Sequence, residues 1–157
     1  MRRASFSLGM ILSLVTGLTL GATEPIYDER ADAKQQIAAA VAEAGRRGHP
    51  SRNVVLVFGA NWCLDCRVLD AQMHEGELAS LIKKDFVVAK INVGRMDKNL
   101  DVAAKYGVPI KNGIPALAVL DPRGKLLYAQ DQGQFSDARH MTYESIKAFF
   151  ERWKPKG

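Results

Sequence analysis

Cys63 and Cys66 stand three residues apart, directly after a short apolar run and at the start of a segment with helical spacing. The run is Val54-Val55-Leu56-Val57-Phe58, rich in β-branched residues, and it reads as a buried strand. Gly59-Ala60-Asn61 ends it, and a helix opens near Cys63 and passes through Leu69 and Met73. A strand feeding a Cys-x-x-Cys at a helix start narrows the chain to folds in which a βα junction carries the chemistry. These are the two cysteines of the 157-residue chain. A disulfide between them closes a very short loop and removes little entropy from the unfolded chain, so it is a poor structural staple. The pair reads as reactive.

The rest of the pattern fills in around this junction. Residues 28–47 read as a helix, with Ile37, Val41 and Ala44 at helical spacing and Gly48 as its stop. After Met73, Gly76 interrupts the helix, which continues through Leu78, Leu81 and Ile82. Residues 86–92 form a second strand, 99–106 a short helix closed by Gly107, and 116–120 a third strand. Asp121-Pro122-Arg123-Gly124 is a turn that leads into residues 125–128 as a hairpin. Residues 142–153 form a last amphipathic helix with Thr142 as its N-cap. The order α-β-α-β-α-β-β-α predicts an α/β fold whose first strands are parallel, with an antiparallel hairpin at one edge.

The first 22 residues read as a secretory signal. Arg2 and Arg3 give the positive start, residues 6–20 are apolar but diluted by Ser, Thr and Gly, and Ala22 offers a small residue before Thr23. A membrane anchor needs about 20 strongly apolar residues, more than this stretch supplies. The expected organisation is a signal peptide over 1–22 and one domain over 23–157 that begins with a helix. The expected location is periplasmic or otherwise exported, where stray thiols are liabilities. The formal net charge is +5; beyond residue 22 the chain carries 20 basic and 17 acidic residues, interspersed, and no dense basic stripe that points to nucleic acid.

The thiolate is the nucleophile in disulfide exchange, and a helix N-terminus favours an anion. Cys63 is therefore expected at an exposed tip, with Cys66 one turn in. A structural zinc site needs four ligands. Two Cys plus His49, His74 and His140, which show no paired spacing, do not provide them. A two-thiolate Cu(I) site and an inert disulfide stay open beside the redox reading.

From residue 28 to 153 the chain resembles thioredoxin. The resemblance rests on Trp62-Cys63-x-x-Cys66-Arg67, on Val88-Ala89-Lys90-Ile91-Asn92, and on Lys105-Tyr106-Gly107-Val108 followed by Gly113-Ile114-Pro115-Ala116-Leu117, in that order. It is similar to exported thioredoxin-like proteins and to the periplasmic domain of the transmembrane disulfide reductase. The resemblance implies a thioredoxin fold, a central mixed sheet of four to five strands flanked by helices. It implies Cys63 as the attacking nucleophile, Cys66 as the resolving thiol, Trp62 as a flank packed beside the site and Pro115 as a cis-proline facing the disulfide. Ile114 would offer backbone hydrogen bonds to an extended substrate, Lys90 corresponds to the family's buried lysine, and Arg67 is the following basic residue. No cofactor beyond the dithiol and no metal is implied. The implied partners are disulfide-bearing proteins and a membrane thiol relay that donates electrons, with the protein itself a monomer.

The chain departs from the pattern at Val57, where the family carries a buried acid, so Lys90 either reaches another acid or points to solvent. Leu64-Asp65 stands between the cysteines, Ala71 replaces a helix proline, and 109–112 lengthen the loop before Gly113. Asp65, taken as exposed, should disfavour the Cys63 thiolate by like-charge repulsion, opposed by the helix dipole and Arg67, and so favour a reducing protein. The rival readings are a disulfide oxidase or isomerase, and a thioredoxin scaffold that binds a client protein or Cu(I) with the pair silent.

Overall fold

The computed structural model describes residues 24–47 and 49–156. The expected signal peptide, its cleavage before Thr23 and the helix stop at Gly48 all fall outside them. The elements run α1 (Ala33–Ala44), β1 (Asn53–Gly59), α2 (Leu64–Met73), α3 (Gly76–Asp85), β2 (Phe86–Asn92), α4 (Leu100–Lys105), β3 (Ala116–Leu120), β4 (Leu126–Ala129) and α5 (Tyr143–Trp153). Short 3-10 turns at Ile110–Asn112 and Ala138–His140 complete the chain.

One four-stranded mixed sheet in the order β2-β1-β3-β4 organises the molecule. β1 lies inside it and all seven of its residues are buried, the property its unbroken apolar run demands. Alternation divides that run between two cores. Val54, Leu56 and Phe58 join Ile37, Ala40 and Ala44 of α1 and Val102 and Ala103 of α4. Val55 and Val57 join Leu69 and Met73 of α2, Leu78 of α3, and Ile146 and Phe150 of α5. Fully burying a Leu, Ile or Phe side chain contributes about 1.5–3 kcal/mol, so these two layers supply much of the driving force for folding.

β1 and β2 pair in parallel across the α2–α3 crossover, as the α/β alternation predicts. β3 instead runs antiparallel to β1, with Ala116 opposite Phe58 and Leu120 opposite Val54. α4 has six residues, about 9 Å of helix, too short to carry the chain back along the sheet. The chain therefore re-enters from the end at which β2 stopped. The Asp121–Gly124 turn closes the β3–β4 hairpin: the Gly124 amide donates to the Asp121 carbonyl at 2.9 Å, and Asp121 Oδ1 accepts from the Arg123 and Lys125 amides.

The first helix is shorter than the 28–47 expected from its composition. It begins at Ala33, because the Asp32 carboxylate accepts the Gln35 amide and caps it, and it ends before Gly45. A side chain at Gly45 would meet the Pro122 carbonyl at 2.9 Å, so the chain turns there beside the hairpin. Residues 24–32 are not helical. They form a strap held by Asn61, whose Oδ1 accepts the Tyr27 amide and whose Nδ2 donates to the Tyr27 carbonyl, both at 2.9 Å.

Candidate functional site

β1 delivers the chain to the site at its C-terminal end, and Ala60-Asn61-Trp62 turns it into α2. Cys63 is the N-cap of α2, and its Sγ accepts the Cys66 amide at 3.1 Å. The two cysteines are joined as a disulfide with their Cα atoms 5.3 Å apart. Cys63 is 5% exposed and Cys66 1%. The tip position expected for Cys63 is thus corrected: the sulfur is nearly covered. The Ile114–Pro115 loop closes on it, with the Ile114 carbonyl oxygen 3.5 Å from Cys63 Sγ, and the Ile114–Pro115 peptide bond is cis. The exposed rim consists of Leu64 at 56% and Trp62 at 55%. Trp62 does not pack down on the site; its indole N–H donates to the Gly94 carbonyl at 2.7 Å and holds the ring open to solvent.

Asp65 departs furthest from its sequence reading. It is 6% exposed and turned away from solvent, because Arg139 captures it. Arg139 Nη2 lies 2.7 Å from Oδ2, its Nε 3.1 Å from Oδ1, and its backbone amide 3.0 Å from Oδ1. Phe135 and Ala138, both buried against α2 and α5, fix the loop that brings Arg139 there. Burial pushes the carboxyl up. The Arg139 amide, guanidinium and charge, with His140 beyond them, outweigh that and hold it below the usual carboxylate range. Asp65 is therefore an ionised but compensated group on the first turn of α2. Arg67 is exposed and donates from Nε to the Asn61 carbonyl at 2.9 Å, bracing the turn before the cysteines.

Lys90 finds an acid on α2. Its ammonium pairs with Asp70, both side chains being about three-quarters buried. The acid missing at Val57 is thus matched by a carboxylate one helical turn beyond Cys66. Tyr27 completes this side. Its ring is buried, and a methyl group placed on Gly59 would lie 2.2 Å from the Tyr27 hydroxyl oxygen and 2.9 Å from Cys66 Sγ. Glycine at 59 leaves the space in which the tyrosine hydroxyl sits beside the sulfur.

The structure thus gathers Cys63, Cys66, Trp62, Asp65, Arg67, Ile114 and Pro115 at one end of β1, with Lys90 reaching α2 from β2. Four supporting residues have no role in the sequence reading: Tyr27, Asn61, Asp70 and Arg139. Asp70 carried a signal, an acid four residues after Cys66 and so on its face of the helix. Among the described residues no cluster of His, Cys, Asp and Glu could hold a metal ion, and no helix is long and apolar enough to cross a membrane.

The thioredoxin-like family model matches residues 32–122, which includes the disulfide and the cis-proline but not Arg139. A disulphide isomerase from Xylella fastidiosa is similar at 44% identity, with a TM-score of 0.76, over 83% of this chain and 98% of that one. Two more distant structures share the fold. A thioredoxin from Thermus thermophilus has 19% identity and a TM-score of 0.53 over 73% of this chain and 81% of its own. The oxidised C-terminal domain of DsbD from Neisseria meningitidis has 21% identity and a TM-score of 0.53 over 79% of this chain and 97% of its own. The comparison with curated proteins returned no match. By its matched segment, its fold and its disulfide, this chain belongs to the thioredoxin-like family, as a disulfide oxidoreductase whose redox element is the Cys63–Cys66 pair without any cofactor.

Proposed function

We propose that the protein reduces disulfides in exported proteins. The supporting observation is Asp65: an ionised carboxylate fixed on the first turn of α2, between the two cysteines. Strong oxidants of this chemistry owe their potential to a stabilised reduced form with a very acidic nucleophile. Even with Arg139 on its outer side, a carboxylate at the helix start takes up part of the dipole that would otherwise hold a thiolate and works against that stabilisation.

In this reading the Cys63 thiolate attacks a client disulfide, a mixed disulfide forms, and the Cys66 thiolate attacks Cys63 Sγ and expels the reduced client. The Ile114 backbone lies against Cys63 Sγ, where an extended client segment would pair, and Trp62 and Leu64 form the apolar rim it would meet. Residues 1–22 act as a cleaved signal peptide, 23–157 work as a monomer in the periplasm or another exported compartment, and a membrane thiol relay returns electrons to the pair. The 44% identical Xylella protein is called an isomerase, which favours disulfide isomerisation as the second reading.

Equilibration with glutathione and insulin reduction by dithiothreitol test the proposal together. A reductase accelerates insulin reduction and has a potential well below the about −120 mV of the strong periplasmic oxidant. A potential near that oxidant's overturns it. Faster recovery of scrambled ribonuclease, without insulin reduction, would select the isomerase.

A further inference from the structure

Cys66 Sγ is buried, and the chemistry requires it to carry a negative charge. When a thiolate attacks Cys63 Sγ, a new S–S bond forms there, the Cys63–Cys66 bond breaks, and its electron pair remains on Cys66. A buried anion without a hydrogen-bond donor is costly. The Cys66 amide is already directed at Cys63 Sγ. The Lys90 ammonium is paired with Asp70. Asp65, next to Cys66 in sequence, is turned to Arg139.

The Tyr27 hydroxyl is a further donor on that side. Tyr27 and Cys66 are neighbours at the point where Gly59 lacks a side chain: a methyl group there would lie 2.2 Å from the hydroxyl oxygen and 2.9 Å from the sulfur. We propose that Tyr27, seated against Gly59 by the Asn61 strap, donates its hydroxyl hydrogen to Cys66 Sγ and holds the charge of the resolving sulfur whenever the disulfide opens. The inference rests on the dithiol reading above and names a further residue of that site.

No proton moves in this step; the phenol keeps its own. Burial, and then the Asp70 charge, push the Tyr27 phenol up, so it remains a donor across the physiological range. The charged groups facing this corner are Asp70 on α2, Lys90 on β2, and Asp28, Glu29 and Arg30 on the strap; the last four line the cleft beside Tyr27 and Asn61. Asp70 disfavours a thiolate and Lys90 favours it, and because they are paired their effects on the sulfur oppose each other.

The test separates the two cysteines in time. Reduced protein is mixed rapidly with an excess of the aromatic disulfide 5,5′-dithiobis(2-nitrobenzoate). Attack by Cys63 releases one thionitrobenzoate, and attack by Cys66 on the mixed disulfide releases a second. Tyr27→Phe keeps the ring and removes the donor. It should move the pH midpoint of the second release up by about one unit, and slow that release about tenfold on the acid side. The first release should stay within about twofold. Protein carrying 3-fluorotyrosine at position 27, a more acidic donor, should move the midpoint down. This second arm decides the question if the Phe variant does not fold. An unchanged midpoint in either folded protein, or a parallel slowing of both releases, overturns the role of Tyr27 and leaves the dithiol reading standing. A wild-type protein without a second release overturns both.

Discussion

Asp65 and Arg139, 74 residues apart in sequence, meet in a two-pronged ion pair reinforced by the Arg139 backbone amide. The contact ties the first turn of the disulfide-bearing helix to a loop near the C-terminus. Charge-assisted bonds of this fork geometry are the strong ones, and here the carboxylate is buried while the guanidinium is about half-exposed.

The pair should set the redox poise as a unit. Arg139→Gln leaves Asp65 uncompensated beside the cysteines and should make the couple more reducing, by about 20 mV. Asp65→Asn should shift it the other way by a similar amount. The double variant should track Asp65→Asn, because Arg139 acts through Asp65. Glutathione equilibration of the four proteins checks this, and equal shifts from Arg139→Gln with and without Asp65 would contradict it.

The same carboxylate gives a pH signature. Its native value lies below the usual range while the unfolded chain titrates at about 3.9. A depressed carboxylate stabilises the native state fully above the unfolded value, and the contribution is lost as the pH falls through the native one. Asp65→Asn should therefore cost about 1–2 kcal/mol at pH 7. The gap between variant and wild type should narrow as the pH drops below about 4. Urea midpoints at neutral and acid pH measure both.

Lys90 and Asp70 should couple. Either Asp70→Asn or Lys90→Met leaves a partner polar and partly buried, and each should destabilise by about 1 kcal/mol. The double variant should lose less than the two together. A double-mutant cycle in urea reads the coupling, and strictly additive losses would show that the pair contributes nothing.

Gly59→Ala should displace Tyr27. The added methyl has no room between the tyrosine hydroxyl and Cys66 Sγ. The cost should be about 1–3 kcal/mol, typical of overpacking. Amide exchange in the strap, at Tyr27 and its neighbours, should accelerate more than exchange in β1.

Most of the framework is readable from the chain because local chemistry decides it. The apolar run 54–58 reads as a doubly covered strand, and its alternate residues do enter two separate cores. Thr142 caps α5 through its side chain, as its position before an amphipathic run predicts. The Asp121–Gly124 turn closes the hairpin it announces. What stays hidden depends on distant partners. Asp65 between two cysteines reads as a surface charge until Arg139 arrives from a loop with no periodic pattern. Tyr27 is a single aromatic in a polar stretch, and the space for it is visible only when Gly59 is seen beside Cys66. The first helix reads too long because good helix formers, Glu29, Arg30 and Ala31 on one side and Arg46 and Arg47 on the other, flank the points where Asp32 and Gly45 stop it.

The ends of β1 also decide how the protein can be tethered. At the Asn53 end, the Asn53 side-chain amide donates to the Trp153 carbonyl at 2.8 Å, so the C-terminal tail departs there. At the Gly59 end, Tyr27 of the N-terminal strap sits against the disulfide-bearing turn. Seven strand residues, about 20 Å, separate the two points. A support or fusion attached behind Trp153 leaves the dithiol facing outward to meet large clients. An attachment ahead of Tyr27 turns the dithiol toward whatever holds the chain, so the choice of terminus alone changes which substrates can approach.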